Sequence, residues 1–68
     1  MVTITLTLVR KYKKMSIRKL AKISGVSRSE ISRIESEDVM PRLDTLCELA
    51  EALGVLPEDL YIYQKTMK

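Results

Sequence analysis

Along most of the chain the apolar positions recur every three or four residues, the spacing of one face of a helix. In residues 16–24, Ile17, Leu20, Ala21 and Ser24 follow the i, i+3, i+4, i+7 rule, while Arg18, Lys19 and Lys22 fall off that stripe. Ser16 is a good N-cap because its hydroxyl accepts from an orphan N–H of the first turn, and Gly25 supplies a left-handed stop. A second helix is predicted over 27–35. Ser27 is its N-cap and Glu30, three residues on, completes a capping-box pattern. Val26 precedes the cap and is placed to pack on Ile31. Ile31 and Ile34 face inward, leaving Arg28, Ser29, Ser32 and Arg33 outside. From about 43 to 52, Leu43, Leu46, Cys47, Leu49, Ala50 and Leu53 make a broad apolar face, with Arg42, Asp44, Glu48 and Glu51 outward and Gly54 as terminator. Pro57, at a first helical position and followed by Glu58 and Asp59, starts a last short helix through Ile62.

The first segment reads two ways. Val2, Ile4, Leu6 and Leu8 alternate with Thr3, Thr5 and Thr7, a strand pattern rich in β-branched residues. At about 100° per residue, however, Val2, Leu6 and Val9 share one helical face, and Ile4, Leu8 and Tyr12 another. Propensity favours strand for residues 2–5 and helix for 6–14. Gln64 to Lys68 reads as a frayed tail.

Composition narrows the function classes. With 68 residues the chain is one small domain, and it buries only about 60% of its unfolded surface. It has no His, and the single Cys47 permits no internal disulfide. Zinc sites need several Cys or His ligands, and His-based nucleophilic catalysis lacks its base, so neither metal nor enzyme chemistry is expected. No apolar run approaches the ~20 residues of a membrane span, no secretory signal is evident, and the expected compartment is the cytoplasm. Twelve Lys+Arg against nine Asp+Glu give a net charge of +3, which leans towards a polyanionic partner. The cluster Glu35, Glu37, Asp38 reads as a solvated loop, and Cys47 as a small core residue.

Segments two and three form two short helices joined by a tight turn, the helix-turn-helix geometry. Two arginines and two serines mark the outer face of the second. Arginine forms bidentate hydrogen bonds to the guanine edge in the major groove, and serine can contact base or phosphate. An ordinary hairpin with a solvated polar face would show the same pattern. The stretch from Met15 to Tyr61 resembles the Cro/C1-type helix-turn-helix family, with its phage-repressor fold. The matching pieces are S-x-x-x-L-A at 16–21, G-V-S at 25–27, I-S-R-I-E at 31–35, P-R-L-x-T-L at 41–46 and L-A-x-A-L-G-V at 49–55. The likeness covers roughly residues 6–61.

The resemblance implies an all-α, lambda-repressor-like domain of five helices, at about 2–14, 16–24, 27–35, 42–53 and 57–62, with a domain core of 6–62 and a tail of 63–68. It implies that the third helix reads base edges through Arg28, Ser29 and Arg33, with Ser32 nearby, and that Ser27 caps it and bonds a phosphate. Ile17 stands where family members often place a polar phosphate contact, so only backbone N–H groups remain there. Arg42 matches a backbone or minor-groove contact, and Lys19, Lys22 and Lys11 add electrostatics. Arg10 and Glu35 match a buried ion pair tying helix one to the end of helix three. Glu30 is either the capping residue or a cytosine reader.

The expected function is sequence-specific binding of double-stranded DNA as a transcriptional repressor, a homodimer on a palindromic operator, encoded by a bacterium or phage. No cofactor, membrane, small-molecule effector or effector domain is expected. The alternative is a protein-interaction module of the same fold, an antitoxin or adaptor. Its surface would be Ile4, Leu8 and Tyr12 with Tyr61, Ile62 and Tyr63; these residues could equally form a dimer surface or complete the core.

Overall fold

The computed structural model describes residues 1–65. In chain order they form strand β1 (Val2–Ile4), helices α1 (Leu6–Tyr12), α2 (Ile17–Ser24), α3 (Arg28–Glu35) and α4 (Leu43–Leu53), a 3-10 helix (Pro57–Leu60) and strand β2 (Tyr61–Tyr63). α4 packs against α2 on one side and the 3-10 helix on the other, and α2 packs on α3. Leu6, Leu20, Ile31, Ile34, Leu49 and Leu60 are fully buried where these elements meet.

Serine caps start α2 and α3, and glycines end α2 and α4. Ser16 Oγ accepts from the Lys19 N–H at 3.0 Å, and Ser27 Oγ from the Glu30 N–H at 3.1 Å. Gly25 (φ 80°) and Gly54 (φ 72°) close α2 and α4 in the left-handed region. Two other helix ends use the same conformation without glycine. Lys14 (φ 57°) follows α1 and Glu37 (φ 62°) follows α3. In each, paired bonds satisfy the last carbonyls: Met15 N–H to Arg10 and Lys14 N–H to Lys11, then Asp38 N–H to Arg33 and Glu37 N–H to Ile34.

The five-helix, all-α expectation is corrected at both ends of the chain. Residues 2–4 are a strand, as their alternation and β-branching predict, and the helix implied for 2–14 spans only Leu6–Tyr12. The last helix stops at Leu60, and Tyr61–Tyr63 pairs antiparallel with Val2–Ile4 in the register Val2–Tyr63, Thr3–Ile62, Ile4–Tyr61. Met1 and Gln64 exchange two backbone bonds of 2.9 Å, so Tyr63 and Gln64, expected in a frayed tail over 63–68, are paired instead. Residues 66–68 lie outside the described residues.

The core is also narrower than the pattern implies. Leu46, Leu49, Ala50 and Leu53 of α4 are buried, but Leu43 is 75% exposed and Cys47 is exposed beside it, one turn on. Cys47 is therefore not a core residue. The stripe Ile4, Leu8, Tyr12 is divided: Ile4 lies in β1, half-buried against the core, while Leu8 and Tyr12 are exposed on α1.

Candidate nucleic-acid interface

Helix α3 is held by the core on one side and left bare on the other. Ile31 and Ile34 are fully buried, and Val26, just before the N-cap, is buried in the same cluster and anchors the entry of the chain. At about 100° per residue, Arg28, Ser29, Ser32 and Arg33 occupy an arc of about 140° opposite those isoleucines. All four are exposed, as is Ser27. Among the described residues Arg28 and Arg33 form no salt bridge. Their guanidinium forks stay available to an outside acceptor.

The turn that sets α3 against α2 is short. Gly25 donates to the Ala21 carbonyl at 3.0 Å, and Ser24 Oγ accepts from the Val26 N–H at 3.1 Å. A Cβ on Gly25 would meet nothing within 4 Å, so glycine is required there for its backbone angle and not for space.

Two residues fix the far end of α3. Arg10 of α1 grips Glu35 bidentately: Nε donates to Oε2 at 2.6 Å and Nη2 to Oε1 at 3.0 Å. Arg10 Nη1 also donates to the Met15 carbonyl at 3.0 Å. The side chains are 11% and 10% exposed. The hydrogen bonds to Glu35 hold the guanidinium pKa above its ordinary range, against the opposing effect of burial. Glu37 accepts from the Ile4 N–H. The acidic run read as a solvated loop thus contains two carboxylates with defined partners. Nothing in the sequence singled out Glu37; its bond reaches a residue 33 positions away.

The remaining candidates take distinct positions. Ile17, at the start of α2, is half-buried with its side chain packed against the core. Lys19 is exposed on α2, and Lys11 and Lys22 are exposed too. Arg42 is the N-cap residue of α4, and its Nη2 lies 3.1 Å from Asp44 Oδ2. Both members of that pair are well exposed, at 81% and 62%, so little holds the arginine from a stronger acceptor. Glu30 supplies the N–H that Ser27 caps. No reciprocal bond from its carboxylate to the Ser27 N–H exists among the described residues.

An eight-residue helix is about 12 Å long, and the major groove of B-DNA is about 12 Å wide. Two forked donors and two hydroxyls on its outer face match hydrogen-bond acceptors on base edges and phosphates. Among the described residues no helix is long and apolar enough to cross a membrane.

Comparison with known proteins agrees with this geometry. A helix-turn-helix family model matches residues 6–60. A solved structure titled "Crystal structure of a putative DNA-binding protein from Bacteroides fragilis" superposes with a TM-score of 0.82 at 35% identity, covering 91% of this chain and 100% of that one. No curated protein matches. The family model spans most of the chain, including every helix and the turn between α2 and α3, and the chain belongs to the Cro/C1-type helix-turn-helix family of DNA-binding proteins.

Proposed function

We propose that this protein is a sequence-specific regulator of transcription, a repressor that binds a palindromic operator as a homodimer. The observation that carries the reading is the bare face of α3. Among the described residues Arg28 and Arg33 form no salt bridge, and they project from a helix whose other face is locked into the core. Arg28, Ser29, Ser32 and Arg33 read base edges. Ser27, Arg42, Lys19 and the first N–H groups of α2 at Ile17 contact phosphates. One helix of this length touches only a few base pairs, so useful affinity calls for two copies on two-fold-related half-sites. The reading is tested by equilibrium titration of duplex DNA at rising salt. Log affinity should fall linearly with log salt, at about 0.9 per phosphate neutralised. Failure to bind any duplex at about 50 mM salt overturns it.

A second reading, a protein-interaction module of the same fold, is favoured by one feature. Leu8, Val9, Tyr12 and Val55 line an open apolar hollow on the surface, rimmed by Lys13 and Asp59. Loss of a bound protein partner on Tyr12→Ala, with DNA binding unchanged, would assign the hollow that role.

A further inference from the structure

The two-stranded sheet leaves the outer edge of β2 open, and that edge is self-complementary. Met1 and Gln64 exchange both backbone bonds, and Thr5 donates to Leu60 at 2.9 Å. The ladder alternates, so Thr3 and Ile62 face each other's backbone while Val2, Ile4, Tyr61 and Tyr63 turn their N–H and C=O groups outward. On the outer edge of β1 the Ile4 N–H is taken by Glu37. On the outer edge of β2 nothing among the described residues takes the N–H of Tyr61 or Tyr63. Sheets normally blunt such an edge with charge, proline, a cover or brevity. Tyr61–Tyr63 is short, but it carries no charge or proline and consists wholly of strong strand formers.

We propose that this edge pairs with the same edge of a second copy, joining two sheets into one four-stranded antiparallel sheet across a two-fold axis at Ile62. The inference rests on the reading of the chain as a paired DNA-binding regulator and names the surface that pairs it. The sequence Tyr-Ile-Tyr is symmetric about Ile62. An antiparallel two-fold therefore sets Tyr61 against the partner's Tyr63 as a hydrogen-bonded pair, twice, and Ile62 against the partner's Ile62. The outward groups are those this register needs. Side-chain burial follows. Tyr61 lines a shallow apolar cleft with Val2, Ile4, Met40, Pro41 and Leu43, and Met40, Leu43 and Tyr63 are largely exposed. The partner's Tyr63, beside Tyr61 on the same sheet face, lies over this cleft.

The register makes two variants decisive. Ile62→Cys, in a Cys47→Ser background, places two thiols in a non-hydrogen-bonded pair, where Cβ atoms are about 4.5–5.5 Å apart. Mild oxidation should convert it to a covalent dimer, and Thr3→Cys in the same background should form no covalent dimer. Tyr63→Pro removes an outward donor but no bond of the chain's own ladder, a substitution edge strands accept. By sedimentation equilibrium it should halve the mass of the associated wild type, with the circular dichroism spectrum unchanged. A wild type that associates while Ile62→Cys resists cross-linking and Tyr63→Pro stays dimeric places the interface elsewhere and overturns the proposal. So does a wild type that is monomeric both free and on duplex DNA. A cross-linked dimer that ignores duplex DNA leaves the interface standing and removes the regulatory reading.

Discussion

The Ile4 N–H donates to the Glu37 carboxylate at 3.2 Å, linking the first strand to the residue that follows the end of α3. Glu37 has φ 62°, a conformation that costs a side-chain-bearing residue about 1–2 kcal/mol. The carboxylate bond offsets part of that cost. Lys14 adopts the same conformation, and its side chain makes no hydrogen bond among the described residues. Lys14→Gly should therefore stabilise the fold by about 1 kcal/mol and raise Tm by about 4–8 °C. Glu37→Gly, which gains the same relief and loses a bond to a charged acceptor, should change Tm little. Thermal unfolding of the two variants side by side checks this; equal gains would mean that the Ile4 bond contributes nothing.

Removing half of the Arg10–Glu35 pair strands the other half at about nine-tenths burial. Glu35→Ala should cost about 3–5 kcal/mol and lower Tm by many degrees. A drop of one or two degrees would show that the pair is solvated. The pair also sets a pH expectation. The Arg10 pKa is raised in the folded state, so its contribution is complete below the ordinary arginine range and is lost only as pH climbs through the raised value. Arg10 therefore adds no pH dependence of stability across the neutral range.

The N-cap carries local stability at α3. Ser27→Ala leaves the Glu30 N–H without its acceptor and should cost about 1 kcal/mol. Denaturant unfolding should show a lower midpoint with an unchanged slope. No shift would mean that water replaces the hydroxyl at no cost.

The roles proposed for the arginines, base reading and phosphate contact, separate by their signatures. Arg33→Ala should cost about 1–3 kcal/mol on a preferred site and relax specificity at one base pair. Arg42→Ala should weaken all duplexes alike and reduce the salt slope by about 1. Binding isotherms on matched and mismatched duplexes at several salt concentrations distinguish them. Loss of specificity from Arg42→Ala, or a uniform loss from Arg33→Ala, would exchange the roles.

The parts of the fold set by neighbours in sequence were legible, and those set by distant partners were not. α2, α3 and α4 are fixed by local chemistry: serine caps, glycine stops and apolar residues three or four apart. Their observed limits fall within one residue of those read from the pattern. The threonine alternation at residues 2–5 carried a strand signal, yet the family likeness pointed to helix. What decides for the strand is Tyr61–Tyr63, about sixty positions away, and no local period shows that pairing. Residues Tyr61–Tyr63 are too few to display a period of their own. Lys14 and Glu37 enter the left-handed region without the glycine that normally announces it. The row Arg28, Ser29, Ser32, Arg33 was legible because the isoleucine spacing fixes which face of α3 is outward. Leu43 was misread because the first turn of α4 extends past the surface that buries Leu46 and Leu49.

The central claim is that α3 reads base sequence, and selection from random duplex DNA at about 0.1 M salt tests it most directly. The account predicts enrichment of a palindrome with half-sites about one helical turn apart, lost when Arg28 and Arg33 are both replaced by alanine. A pool that stays unenriched, with only weak salt-sensitive binding, would contradict it.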